Sequence, residues 1–110
     1  CLFSRRSIYE EVGYMDEENF AVAFNDVDFC LKIRQAGYLI VYNPYVEFMH
    51  YESKTRGYED TPEKKARFEK ESNNFRTKWR KVLDAGDPYS NINFDKNTAQ
   101  YNVRTDKIEK

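Results

Sequence analysis

The stretch AFNDVDFCLKIRQAGYLIVYNP, residues 23–44, contains the strongest secondary-structure signals in the chain. Asn25 or Asp26 is a good N-cap, apolar residues then recur at helical spacing, and Gly37 stands where a left-handed residue ends a helix. The residues that follow, YLIVYNP, predict a buried strand that ends at Pro44. This stretch therefore predicts a buried helix followed by a strand.

Two acids, Asp26 and Asp28, lie at the start of this helix, where a structural segment needs only one capping residue. Carboxylates at the junction of a buried helix and a loop can accept a proton from a hydroxyl group or bind a divalent cation. Capping is the simpler alternative, because the helix dipole stabilises an acid in the first turn by about 0.3–1 kcal/mol. The spacing alone favours capping and leaves catalysis open.

The flanking segments carry further signals. Residues 1–3, CLF, predict the end of a strand, and SRRSIYEEVG predicts a short helix that begins at Ser4 or Ser7 and ends at Gly13. Residues 45–51, YVEFMHY, predict a second extended segment.

A long amphipathic helix is predicted to begin at Thr61, which supplies a capping hydroxyl before Pro62 and Glu63. We expect it to end before Gly86. Its basic residues predict a solvated face and leave open a weak contact with anionic lipid headgroups. The opposite face has a 3.6-residue period and contains Phe68, Ser72, Phe75, Trp79, Val82 and Leu83.

Composition limits the class of protein. The 110 residues suit a single domain with a modest core, and a net charge of -1 argues against nucleic acid as a partner. The two cysteines are far apart, which favours a reducing, cytoplasmic location, and no apolar run approaches the length of a membrane span. Because the sequence opens without an initiator methionine or a signal-peptide pattern, we expect it to be part of a longer chain.

His50 is the only histidine and ends the second extended segment. Imidazole can bind a metal, and Ser, Lys and Arg side chains in the loop that follows can bind phosphate oxygens. A lone histidine without partners at ligand spacing is more often structural, so both interpretations remain open.

The sequence from Val12 to Gly57 resembles the C-terminal part of the catalytic domain of family 2 glycosyltransferases. The resemblance rests on VGYMDE, on the acidic signature NDVDF, on a helix that ends in RQAGY, and on HYESKTRG. It continues through FEKESNNFRTKWRKVLDAGDPYSNINF and covers about residues 1–95.

The resemblance implies an α/β fold: a C-terminal fragment of a GT-A domain, with few strands, several helices and a long C-terminal amphipathic helix. It implies that Asp26 is the base that deprotonates the acceptor hydroxyl in an inverting displacement and that Asp28 is a supporting or capping acid. Three further residues would line the acceptor side: Glu17, Glu18 and Asn19. Those near the metal or the diphosphate would be His50, Ser53 and Arg56.

The full-length enzyme would take a nucleotide-sugar donor, a glycan or lipid-linked acceptor, and Mn²⁺ or Mg²⁺. No Asp-x-Asp metal motif precedes Asp26 in this sequence, and no nucleotide-binding half is found, so we expect the fragment alone to be inactive, to bind no metal and to self-associate through exposed apolar faces. Its expected location is the cytoplasm, with the inner face of the membrane left open.

The expected organisation is an acceptor-side half at 1–57, a helical extension at 58–95 and a polar tail at 96–110. An alternative function is a non-catalytic interaction domain that binds a partner protein through its aromatic segment and long helix.

Overall fold

The computed structural model describes residues 2–51, 61–95 and 102–104. In these ranges the chain forms four helices and no strand, and one isolated antiparallel bridge joins Phe94 to Val103. The helices are α1 (Arg6–Glu11), α2 (Asn25–Gln35), α3 (Pro62–Lys78) and α4 (Arg80–Ala85). None of these helices is both long and apolar enough to cross a membrane.

The predicted α/β fold, a GT-A fragment with strands, is wrong for this structure. The segments expected as strands, 38–44 and 45–51, form neither a helix nor a strand, and Val41 and Tyr42 are 80% and 86% exposed. A strand is stable only when its N–H and C=O groups bond to a neighbouring strand. No segment of the described residues forms such a ladder with 38–51, although its composition is typical of a strand.

The predicted helix α2 is confirmed, but its N-terminus differs from the expectation. Phe24 is the N-cap, in the left-handed region at φ 65°, and it provides no side-chain cap. Asn25 and Asp26 are therefore the first two helical residues. At the other end Gly37 has a φ of 90°, as its position after the helix predicts. The short helix α1 is also confirmed, although neither predicted serine is its N-cap, which is Arg5.

The start of the long helix is confirmed. The Thr61 hydroxyl accepts a hydrogen bond from the Lys64 backbone N–H at 3.4 Å, and Pro62 occupies the first helical position, where its missing N–H costs nothing. The helix does not continue to Leu83 without interruption. Trp79 leaves helical geometry, at φ -105° and ψ 17°, and separates α3 from α4.

Aromatic rings from α3 pack against the chain that leads into α2. Phe20, Phe75 and Trp79 form the buried cluster, and Phe24 and Leu31 pack against it. The Phe24 ring stacks on Phe75, with centroids 5.0 Å apart, and the Phe20 ring meets Phe75 edge to face at 6.0 Å. Phe75 and Trp79, which the 3.6-residue period places on one face, are therefore packing residues.

The chain divides into two compact units, residues 1–80 and 81–110. The first contains α1, α2 and α3. In the second, the bridge at Phe94 includes hydrogen bonds from the Asp95 N–H to the Asn102 carbonyl and from the Arg104 N–H to the Asn93 carbonyl, both at 2.8 Å. The predicted boundary at residue 57 and most of the predicted tail lie outside the described residues. The three-part organisation stays a prediction.

Candidate functional site

The two acids of the NDVDF signature lie in different environments. Asp26 is exposed, whereas Asp28 is fully buried at 0%. Successive residues of an α-helix are rotated by about 100°, so residues two positions apart project in nearly opposite directions. The first turn of α2 therefore presents one carboxylate to solvent and one to the interior.

The buried Asp28 carboxylate is anchored by the C-terminal end of α3. Its Oδ1 atom accepts a hydrogen bond from the Trp79 indole N–H at 2.8 Å and forms an ion pair with the Lys78 ammonium at 2.8 Å. Its Oδ2 atom has no hydrogen-bond partner among the described residues and lies 3.7 Å from the Lys32 ammonium. A buried charge needs such partners, because leaving one unpaired costs several kcal/mol, on the order of 3–5.

Lys78 also contacts Asp16, so a single ammonium joins two acids. The distance from Lys78 Nζ to Asp16 Oδ2 is 3.1 Å. Burial alone lowers the pKa of Lys78, but its hydrogen bonds and ion pairs with Asp28 and Asp16 outweigh that effect and raise the pKa above the usual 10.5. The position of this lysine is therefore fixed from two sides.

The residues predicted to line the acceptor side are in a loop between α1 and α2. Glu17, Glu18 and Asn19 are all exposed, and Phe20, buried at 1%, anchors the loop in the core. The Asp16 carboxylate accepts hydrogen bonds at 3.0 Å from the backbone N–H and side-chain amide of Asn19. The loop therefore combines exposed polar groups with a fixed backbone.

Glu71 of α3 anchors the same loop from the other end. This side chain is buried at 4%, and it accepts a hydrogen bond from the Ala23 backbone N–H. Arg67, one turn earlier on α3, lies 3.9 Å from the second oxygen of Glu71. The Glu71 carboxylate thus provides a hydrogen-bond acceptor for a loop N–H that would otherwise lack a partner.

Of the three residues predicted near a metal or a diphosphate, the structure describes one, His50, which is exposed. Ser53 and Arg56 lie outside the described residues. No group of three or more His, Cys, Asp or Glu side chains that could hold a metal occurs in residues 2–51, 61–95 and 102–104. The described residues therefore form no metal site with three or more such ligands.

An open cavity of about 320 Å³ lies beside the face of α2 that carries Phe29, and the sequence did not predict it. Phe29 of α2 contributes one wall and contacts the edge of the Tyr9 ring, with centroids 5.2 Å apart. Three of the residues that line it carry polar groups: Ser4, Arg6 and Tyr9. The full set of lining residues is Leu2, Ser4, Arg6, Tyr9, Met15 and Phe29.

Three residues of this region were missed by the sequence reasoning: Asp16, Glu71 and Lys78. Lys78 was expected on a solvated face, yet it pairs with two acids. A signal was present, because Glu71, Phe75 and Lys78 follow one another at intervals of four and three residues and so share a face of α3.

Sequence comparisons show similarity to proteins much longer than this chain. The chain is 47% identical over 93 residues to the uncharacterised protein y4gI of Sinorhizobium fredii; the match covers 84% of this chain and 10% of that protein. It is 39% identical over 57 residues to the N-acetylglucosaminyl-diphospho-decaprenol L-rhamnosyltransferase of Mycobacterium tuberculosis, which covers 52% of this chain and 18% of the enzyme.

The chain therefore spans a tenth of the first relative and less than a fifth of the second. No family model matches the chain, and no solved structure matches it. These findings support a coarse conclusion: about half of the chain is similar to part of a glycosyltransferase.

Proposed function

We propose that the chain is the acceptor-side part of an inverting glycosyltransferase, with Asp26 as the catalytic base. The observation that carries this proposal is the difference in environment between the two acids of α2. Asp28 is buried and bonded to Trp79 and Lys78, which leaves the exposed Asp26 as the acid of this pair that can reach a substrate. The partial similarity to a rhamnosyltransferase supports the same reaction class.

In the proposed reaction the acceptor hydroxyl oxygen attacks the anomeric carbon of a nucleotide-diphospho-sugar. A new C–O bond forms as the bond from that carbon to the diphosphate oxygen breaks, and the diphosphate leaves with the electron pair. Asp26 takes the hydroxyl proton during the attack. One displacement at the anomeric carbon inverts its configuration.

Residues 14–24 form the loop that leads into α2, here called the 14–24 loop. This loop supplies the acceptor-binding groups in this proposal. Glu17, Glu18 and Asn19 are exposed in the loop that leads into α2, so they can hydrogen-bond to sugar hydroxyl groups of an acceptor. The mycobacterial relative carries in its name a sugar linked through diphosphate to decaprenol. A lipid-linked glycan at a membrane surface is accordingly the acceptor class that we propose.

The donor end of the site remains an expectation. His50, Ser53 and Arg56 are proposed to lie near the donor diphosphate, with Mn²⁺ or Mg²⁺ bound in the full-length enzyme. The described residues contain no group of three or more His, Cys, Asp or Glu side chains that could hold this metal.

The test uses the full-length natural protein that contains this sequence. Its substrates are uridine or thymidine diphosphate sugars, including the rhamnose derivative, and a synthetic N-acetylglucosaminyl-diphospho-lipid. Asp26→Asn should lower turnover by about 10²–10⁴-fold, the usual contribution of a general base, with the KM for the donor nearly unchanged.

Glu10→Gln is a matched control, because Glu10 is an exposed acid whose ion pair with Arg6 lies within α1. This control should keep wild-type turnover. Full activity of Asp26→Asn would exclude Asp26 as the base, and absence of sugar transfer by the wild-type protein with all donors would contradict the proposed reaction class.

A second candidate function is supported by one observation. Residues 38–51 expose a run of large apolar side chains, among them Tyr42, Tyr45 and Met49, and such a run is typical of a protein-binding surface. A non-catalytic interaction domain would use this run, and it would tolerate Asp26→Asn without loss of binding.

A further inference from the structure

One face of α3 contacts the 14–24 loop at three successive points. The Lys78 ammonium pairs with Asp16 at 3.1 Å, and the buried Glu71 accepts the Ala23 N–H. Between them, the Asn74 side-chain amide donates to the Asn19 carbonyl at 3.4 Å. The three α3 residues are spaced three and four positions apart, so they form one stripe that runs antiparallel to the loop.

Both ends of this loop adopt a backbone conformation that side chains other than glycine rarely take. Tyr14 has a φ of 62° and Phe24 a φ of 65°. Such conformations persist only where the surroundings fix them. Here Lys32 of α2 donates a hydrogen bond to the Tyr14 carbonyl, and Phe24 stacks on Phe75 of α3. Contacts with α2 and α3 therefore add to the hydrogen bonds between Asp16 and Asn19 in fixing the shape of the loop.

Lys78 connects this loop to the helix that carries Asp26. Its ammonium contacts Asp16 of the loop and Asp28 of α2, and it also lies 5.2 Å from the centroid of the Phe20 ring. Any shift of the loop relative to α2 would break one of these two ion pairs. The Lys78 ammonium pairs with one acid of the loop and one acid of α2, and it thus sets the distance between the exposed loop residues and the first turn of α2.

We propose that Lys78, Asn74 and Glu71 are positioning residues that hold the 14–24 loop in register with Asp26, so that an acceptor bound by the loop presents its hydroxyl to the base. This inference rests on the proposed function. The stripe touches neither substrate nor reacting atoms, and it acts through the placement of Glu17, Glu18 and Asn19. Substitutions in the stripe should raise the KM for the acceptor and leave the KM for the donor unchanged.

The first test measures amide hydrogen exchange in the full-length protein, which requires no substrate. Lys78→Met and Asp16→Asn should both accelerate exchange at the Asn19 and Phe20 amides, whose N–H groups bond to Asp16. Asp16→Asn retains the Lys78 contact with Asp28, so amides within α3 should exchange as in the wild type. Lys78→Arg should restore protection, and Lys70→Met, at an exposed lysine of the same helix, should change nothing.

The second test is a split between kinetic constants with the synthetic N-acetylglucosaminyl-diphospho-lipid as the acceptor. Asp16→Asn should raise the acceptor KM about fivefold, the factor expected from a partly exposed ion pair, with an unchanged donor KM.

Unchanged loop exchange in both Lys78→Met and Asp16→Asn, or an unchanged acceptor KM in Asp16→Asn, would overturn the inference. Failure of the proposed function gives a different result: no sugar transfer by the wild type, or full activity of Asp26→Asn, whatever the exchange rates show.

Discussion

The contacts of α3 with α2 and with the loop before α2, here called the junction, contrast with the segment 38–51 in both composition and burial. The junction includes the acids Asp28 and Glu71 and the lysine Lys78, yet Asp28 is 0% exposed and Glu71 is 4% exposed. The segment is rich in apolar and aromatic residues, yet Leu39 is 76% exposed and Tyr45 is 94% exposed. The difference shows that a residue is buried where a partner covers it, and hydropathy alone does not supply that partner.

Electrostatic and aromatic contacts explain why the junction accepts its charged groups. Asp28 has a charged partner in Lys78 and a neutral donor in Trp79, while Glu71 accepts a backbone N–H. The surrounding rings exclude water, which strengthens these interactions. Residues 38–51 also have contacts, such as the Tyr38 hydroxyl with Glu11 and the Phe48 ring with Phe3, but most of their side chains stay exposed.

The largest effect should come from removing the aromatic ring that closes the junction. Trp79→Ala should lower the free energy of unfolding by about 3–5 kcal/mol, because it removes a buried ring and one hydrogen-bond donor to Asp28. Tyr42→Ala is the matched control in the exposed segment, and it should change this free energy by less than about 0.5 kcal/mol. Urea unfolding followed by circular dichroism measures both, and similar losses would refute the contrast between the two regions.

An intermediate effect should appear in acid. Burial raises the pKa of Asp16, but hydrogen bonds from Asn19 and the nearby Lys78 outweigh it, so the pKa lies below the usual 3.8. The group is then ionised in both states at neutral pH, and its stabilising contribution is lost only as the pH falls through the lowered pKa. The stability difference between the wild type and Asp16→Asn should be constant down to about pH 4 and shrink below it.

Unfolding measured in urea at a series of pH values tests this expectation. A difference that stays constant down to pH values well below 3.8 would show that Asp16 gains nothing from its partners in the folded state.

The smallest effect on stability should come from the exposed segment. Leu39→Ser and Val41→Ser should each change the free energy of unfolding by less than about 0.5 kcal/mol, because neither side chain is buried. The same changes should reduce self-association, since they remove exposed apolar surface. Sedimentation velocity at several concentrations measures this, and a substantial stability loss in either variant would place the segment in the core instead.

Prediction of the candidate site from the sequence succeeded only in part. The acidic pair of α2 was found because both residues belong to one short motif. The long-range contacts of this region were not predicted, because Trp79 is 51 residues from Asp28 and Lys78 is 62 residues from Asp16. The base role of Asp26, the acceptor-side residues and the donor-side residues stay predictions.

The sequence by itself determined where α3 begins and which residues follow the ends of α1 and α2. Thr61 followed by Pro62 starts α3, and Gly13 and Gly37 follow α1 and α2 with positive φ. These signals act over a few residues, because helical hydrogen bonds join positions four apart and glycine alone adopts a left-handed conformation at little cost.

Only the tertiary structure decided which residues are buried and whether strands form. The apolar pattern of 38–51 predicts strands, but a strand takes its hydrogen bonds from a distant segment, and the described residues contain none in position. Likewise, Asp26 and Asp28 are the same residue type two positions apart. Asp28 became the buried, structural acid because the ammonium of Lys78, the last residue of α3, and the indole of Trp79, which follows it, pack against it. Local sequence patterns do not specify these contacts.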